Sequence, residues 1–273
     1  MKIGLYLTFN DLYIKGSMVT IYSFLKNNKW FSEVGGDIIV AYPDVDKLSD
    51  EHKELISQLY DNIIFMEINS NDEKYLKLDK IMDSGLKKRF GPILCKFNAF
   101  TLREYDRIII MDADFLVKED ISEIFFNESI KFGAVIDKYF EKYLTEFTER
   151  YNEYFNVGIM SVGNEYLNGD IINEAIDIIE NDKLKTETEV FTFKGTYPEQ
   201  DILNLIMFKR DVVLIPSKYN GNGYDFKTDC KDYACIHYMT SFKPWNCFIL
   251  CESWKIWHEY YNEVMKFLAT KRD

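Results

Sequence analysis

Four short apolar runs recur in the first 111 residues: KIGLYLTF (2–9), DIIVAY (37–42), NIIFMEI (62–68) and RIIIM (107–111). Near-continuous apolar runs of this length suit strands buried on both faces. Between them lie helical stretches. The segment through Tyr22 to Leu25 carries Ile21, Phe24 and Leu25 on one face, a charged helix follows Pro43 over 51–60, and a third covers 93–103. Strand and helix in alternation predict an α/β fold, Rossmann-like, with a mostly parallel central sheet and flanking helices. In such sheets ligands settle beyond the carboxyl ends of the strands. The residues after Leu7 and after Met111 therefore become the candidates for a site.

The second half is less regular. FGAVI (132–136) and FNVGIMSVG (155–163) predict strands around a charged, aromatic excursion at 137–153. Tyr197-Pro198-Glu199-Gln200 opens a helix with Ile202, Leu203, Ile206 and Met207 on one side. Proline suits the first helical turn, and glutamate suits its positive end. DVVLI (211–215) and YACIHY (233–238) predict two more strands. A closing helix repeats Trp254, Trp257, Tyr261, Val264 and Leu268 at three- and four-residue steps, a core pattern.

Composition removes several functions. The formal charge is −12 with no long basic stretch, the opposite of a nucleic-acid footprint. Hydrophobic content of 47% rules out wholesale disorder. No apolar run approaches a membrane span, and the segment after Met1-Lys2 is too short for a signal core. Five cysteines, an odd number without an export signal, point to reduced thiols and a cytoplasmic location. Cys230 and Cys235, then Cys247 and Cys251, are spaced unlike the common zinc ribbons despite His237 between the pairs, which favours buried free thiols.

The chemistry gathers where RIIIM runs straight into Asp112-Ala113-Asp114. Residues two apart on an extended segment point the same way, so both carboxylates can converge on one cation. Spacing alone is weak, because Asp44-Val45-Asp46 repeats the pattern behind Pro43, and at least one of the two is an ordinary solvated turn. His237, one of three histidines, ends the run YACIH and precedes Lys243-Pro244-Trp245. It is either a satisfied structural histidine or a third ligand on the same sheet edge. Carboxylates, imidazole and phosphate oxygens suit Mg²⁺ or Mn²⁺, and the imidazole tilts the choice toward Mn²⁺.

These blocks, taken in order, resemble glycosyltransferase family 8, the glycogenin-like retaining enzymes. The matching stretches are LTFNDLYIKGSMVTIYSFL, LCKFNAFTLREYDRIIIMDADFLV, FNVGIM, PEQDILN and HYMTSFKPW. The resemblance implies a GT-A fold and one transferase domain over 1–273, with a nucleotide-binding half to about 118 and a sugar and acceptor half beyond. It implies transfer of a hexose, glucose favoured, from a UDP-sugar to a hydroxyl of a glycan or protein, with Mn²⁺ or else Mg²⁺. Leu7, Thr8, Asn10 and Tyr13 would surround the nucleotide, Tyr13 stacking on uracil. Lys96 and Ala113 would contact the donor, and Asp112, Asp114 and His237 would hold the metal. Asn156 and Gly158 would line the sugar site, with Glu199 and Gln200 beside the anomeric carbon; Asn156, Glu199 and Gln200 are thus the catalytic candidates. Lys243 would balance charge on the departing diphosphate.

Departures from the family pattern fall around the sugar. Val157 stands where relatives often have serine, Glu199 where aspartate is usual, and Asp201 where glycogenin has glycine. The excursion at 137–153 is longer than its counterpart, leaving the reach of Asp137 open. Glycogenin's self-glucosylated tyrosine has no clear equivalent, although Tyr219 and Tyr224 fall nearby, and oligomeric state is open, a homodimer included. A nucleotidyltransferase would use similar parts but should open on a glycine-rich phosphate loop, and LTFNDLYIKG has a single glycine. A catalytically silent glycan-binding protein is the other alternative.

Overall fold

The apolar runs of the first half become the sheet expected of them. In the computed structural model, which describes residues 1–81, 91–137, 154–181, 198–207, 210–224, 230–247 and 251–271, these runs form β1 (Ile3–Thr8), β2 (Asp37–Pro43), β3 (Ile63–Ile68) and β4 (Arg107–Asp112). They lie parallel in the order β3-β2-β1-β4. Between them run α1 (Ile14–Asn27), α2 (Lys29–Glu33), α3 (Asp50–Ser57) and α4 (Glu73–Asp79). The helix expected over 93–103 is instead a three-ten stretch, Gly91–Thr101, tied to β1 where the Tyr6 hydroxyl donates to the Cys95 carbonyl at 2.6 Å.

The chain then makes β5 (Phe115–Val117), α5 (Ser122–Phe126), β6 (Phe132–Ile136), β7 (Phe155–Gly163), α6 (Asp170–Glu180) and α7 (Pro198–Met207). It finishes with β8 (Val213–Leu214), β9 (Gly221–Asn222), β10 (Cys235–His237) and α8 (Glu252–Thr270). β7 runs antiparallel to both β4 and β6, and β8 joins β6 in parallel, extending the sheet to seven strands. Both faces of the sheet are covered, because alternate residues of β4 enter different cores. Ile109 and Met111 pack with α1 and α8, whereas Ile108 and Ile110 pack with the three-ten stretch, α6 and α7. Trp254 and Trp257 are buried, as the periodicity of the last helix requires. No helix among the described residues is long and apolar enough to cross a membrane.

A second, three-stranded sheet, β5-β10-β9, was not foreseen. It is held from below by polar side chains on the buried face of α1. The Thr20 hydroxyl donates to the Phe115 carbonyl at 2.7 Å, the Ser23 hydroxyl accepts from the Val117 amide at 3.0 Å, and Asn27 donates to the Val117 carbonyl at 2.9 Å. Three polar residues at helical spacing thus satisfy a sheet edge that would otherwise be buried without partners. The runs 211–215 and 233–238 contribute less strand than expected, two and three residues respectively.

Candidate active site

β1 and β4 are neighbours in register, with Thr8 opposite Asp112. Past Asp112 the chain turns through Ala113 and Asp114 and enters β5. β10 pairs antiparallel with β5, setting His237 against Phe115, with the two rings stacked at 4.2 Å. That pairing delivers the imidazole to the carboxylates. Ligand atoms of Asp112, Asp114 and His237 all lie within 4.8 Å of one another. His237 Nε2 is 3.2 Å from Asp114 Oδ1 and 3.7 Å from Asp112 Oδ2. Gly16 of α1 permits the approach: a Cβ there would meet the Trp245 ring at 2.5 Å and the Ala113 carbonyl at 2.8 Å. The other aspartate pair serves a turn. Asp46 accepts from Asn10 at 2.7 Å, and Asp44 accepts from the Ser70 amide at 3.0 Å.

Two buried lysines flank the carboxylates. Lys96 Nζ donates to Asp112 Oδ1 at 2.8 Å and to the Val157 carbonyl at 3.2 Å. Burial would depress its ammonium, but Asp112 and Glu199 outweigh that and raise it. Lys243 Nζ donates to Asp114 Oδ2, and to the Tyr238 carbonyl at 2.6 Å. Burial alone would raise the Asp114 carboxyl, yet the Lys243 ammonium holds it well below the usual carboxylate range. Each lysine thus offsets one carboxylate of the pair.

On the far side of Asp112, Asp114 and His237 the side chains form an amide network. Asn156 Nδ2 donates to Asp137 Oδ2 and to Gln200 Oε1, both at 3.1 Å. Gln200 Oε1 also accepts from the Val157 amide at 3.3 Å, while its Nε2 donates to Asp137 Oδ2 at 3.2 Å. Asn204, one turn along α7, accepts from the Phe155 amide and donates to the Phe155 carbonyl, both at 2.9 Å, clamping this helix to β7. Glu199 and Asp201 sit on the same turn and are both pushed up to about 7. Burial is the main cause for each, helped by Asp112 for Glu199 and by Glu199 for Asp201, against Lys96 and the Tyr154 hydroxyl respectively.

The carboxylate pair, the imidazole and the amide network open on a shared cleft. Of the residues singled out in the sequence, Thr8, Tyr13, Asp112, Ala113, Asp114 and His237 line it. Asn156, Gly158, Glu199, Gln200 and Lys243 complete the set. Three stand behind its wall. Leu7 is fully buried in the core, Asn10 is engaged with Asp46, and Lys96 acts through Asp112. Asp137, whose reach the sequence leaves open, lines the cleft from the end of β6. Phe9, Ile93 and Met239 give the cleft apolar walls with no sequence signal of their own. Tyr219 is 1% exposed, and its hydroxyl donates to Glu123 at 2.7 Å, so that tyrosine is not presented for modification.

A half-parallel, half-mixed sheet with a carboxylate pair at the carboxyl edge of β4 and a cleft beyond it is the arrangement of GT-A glycosyltransferases. Galactosyltransferase LgtC, solved in complex with donor and acceptor sugar analogs, shares this fold with a TM-score of 0.70, 18% identity and 95% coverage of both chains. The chain belongs to glycosyl transferase family 8, whose model matches residues 5–247. Mouse glycogenin-1 is 29% identical over 252 residues, 88% of this chain and 64% of glycogenin-1. The lipopolysaccharide 1,2-glucosyltransferase of Escherichia coli K12 is 24% identical over 260 residues, 86% of this chain and 70% of that protein. The chain thus spans somewhat less than two thirds of mouse glycogenin-1.

Proposed function

We propose that this glycosyltransferase moves a hexose from a UDP-sugar to a hydroxyl of a glycan or protein, with retention of anomeric configuration. Asp112, Asp114 and His237 would hold Mn²⁺, with Mg²⁺ as the alternative. One observation carries the metal reading. Asp114 Oδ1 is buried, accepts no hydrogen bond, and lies 3.2 Å from His237 Nε2. Two such atoms facing each other without a hydrogen bond fit a cation, and a set of two carboxylates and one imidazole suits Mn²⁺. When bound, the metal would supply positive charge to a departing diphosphate.

The chain's own residues support the remaining roles. Lys96 fixes Asp112 from behind, so the carboxylate needs no rearrangement to bind. Lys243, at the cleft wall beside Asp114, is placed to stabilise charge that develops on the leaving group. Tyr13 lines the cleft and offers a flat face for uracil. Gln200 Oε1 already accepts two hydrogen bonds, which leaves its amide nitrogen, not its oxygen, to face the sugar. That favours departure and attack on the same face over a covalent adduct on Gln200. Glu199 Oε2 is buried without a hydrogen-bond partner and is suited to meet a sugar hydroxyl. The glucosyltransferase among the relatives makes glucose the first donor to try, and LgtC keeps galactose in the panel.

The test is intact mass spectrometry after incubation with Mn²⁺ and, separately, UDP-glucose, UDP-galactose and UDP-N-acetylglucosamine, with released UDP quantified. UDP release that disappears in EDTA and in the Asp112→Asn/Asp114→Asn variant is expected. Hexose-sized mass gains would add self-glycosylation to the reading. No release from any donor, or a double variant that binds UDP and Mn²⁺ like wild type, would sink it.

A further inference from the structure

His237 can serve a metal only through a bare nitrogen, and its ring has two. Nδ1 lies 2.9 Å from Asn220 Oδ1, a residue on no strand, in the short three-ten turn that precedes β9. Asn220 in turn gives its Nδ2 to Asn156 Oδ1 at 3.0 Å. Asn156 Oδ1 also accepts the backbone N–H of Gly158 at 2.8 Å. Amide orientations are ordinarily ambiguous, but both ends of this chain are chemically fixed. A backbone N–H only donates, and the Asp137 carboxylate on the other side of Asn156 only accepts when ionised. Asn156 must therefore turn its oxygen toward Gly158 and Asn220 and its nitrogen toward Asp137. Asn220 must then donate to Asn156, which leaves its own oxygen facing His237, and Nδ1 must carry the proton.

We propose that Asn220 is the positioning residue that sets the tautomer of His237, holding the proton on Nδ1 so that Nε2 presents a lone pair toward Asp112 and Asp114. The proposal rests on the metal reading above and deepens it. It accounts for an oddity of that reading, namely that Asp114 Oδ1 is 3.2 Å from Nε2 and yet receives no hydrogen bond from it. It also gives Gly158 a reason to lack a side chain: a Cβ there would sit 2.4 Å from His237 Cε1 and 2.8 Å from Asn156 Oδ1, at the meeting point of ring and relay. Outer partners of this kind orient metal-binding imidazoles generally and typically change metal affinity by about 10–100-fold when removed. Here the outer partner is itself anchored to the sugar side, because Asn156 also holds Gln200. Ring orientation at the metal and amide orientation at the sugar are thereby set by one hydrogen-bond chain.

The experiment is nitrogen-resolved NMR of the histidine rings in metal-free protein, at a pH where the rings are neutral, followed by calorimetric titration with Mn²⁺. With only three histidines, His237 can be assigned by comparison with His237→Ala. Wild type is expected to show the Nδ1–H form. Asn220→Leu should lose that preference and bind Mn²⁺ about 10–100-fold more weakly. Asn220→Asp, which keeps an acceptor against Nδ1, should retain the Nδ1–H form. An Nε2–H ring in wild type would overturn the proposal, and that measurement needs no variant to fold. So would an Asn220→Leu protein with the wild-type tautomer and affinity. Failure of the metal reading itself looks different: Mn²⁺ would bind equally well, or not at all, to wild type and to Asp112→Asn/Asp114→Asn.

Discussion

At the scale of single residues the chain poses a controlled comparison, because it contains two aspartate pairs of identical spacing. Asp44 and Asp46 spend their oxygens on Ser70 and Asn10, whereas Asp112 and Asp114 face an imidazole and two ammonium groups. Asp44→Asn/Asp46→Asn should leave Mn²⁺ affinity unchanged, while the matching change at Asp112 and Asp114 abolishes it, both read by calorimetric titration. Equal losses in the two variants would show that the effect is general electrostatics. Gly158 tests geometry without touching charge. Alanine there forces the His237 ring aside, since no hydrogen atom's worth of space is left against Cε1 at 2.4 Å. A stability loss of about 1–3 kcal/mol, the usual range for overpacking, is expected in thermal melts, with Mn²⁺ binding at least tenfold weaker. In the sequence the carboxylate pair and the imidazole were candidates beside a second aspartate pair, and the lysines were marked only by the family resemblance; the fold brings all of them to one edge. The amide relay was not legible there, since Asn220 is recognisable only by the company it keeps across the fold.

At the scale of elements the site depends on one very short strand. β5 has three residues and no periodicity to read, yet it brings β10, and with it His237, to the aspartates. Its hold on α1 can be tested at Ser23, whose hydroxyl accepts the Val117 amide inside the core. Ser23→Ala leaves that amide without a partner, at a cost of about 1–3 kcal/mol. Hydrogen exchange at Val117 should accelerate, and Mn²⁺ affinity should fall although no ligand has been altered. Unchanged exchange at Val117 would mean that the strand is held by β10 alone. The long elements were the legible ones: β1, β2, β4, β6 and β7 fall on their apolar runs almost residue for residue. Two- and three-residue strands are set by partners distant in sequence, which no window of neighbours contains. The polar stripe of Thr20, Ser23 and Asn27 was visible on α1 but carried no hint that a strand would lie on it.

At the scale of the molecule, the two carboxyl groups raised to about 7 make stability depend on pH in an unusual direction. Glu199 and Asp201 titrate near pH 4 in an unfolded chain, so between there and about 7 the folded state keeps protons that the unfolded state has lost. Their contribution is complete below that window and disappears as pH rises through it, on the order of 3 kcal/mol for Glu199. Asp114 is depressed and acts in the opposite sense, but only in acid below the usual carboxylate range. In EDTA, the melting temperature should therefore fall from pH 5 to pH 8, and Glu199→Gln should flatten the slope. A melting temperature that rises over that interval would refute the assignment. The parallel half of the sheet was readable from alternation, whereas the burial that shifts these acids comes from α7 closing on β7, a contact between distant stretches. The order in which the chain is made has a consequence too. Lys243 lies 129 residues after Asp114, and at a ribosome's pace of about 5–20 residues per second that gap is roughly 6 to 26 seconds. A nascent chain carries Lys96 and both aspartates long before His237 and Lys243 exist. Until residues as far as Lys243 have been made, the group of Asp112, Asp114 and His237 lacks members that only the later chain supplies.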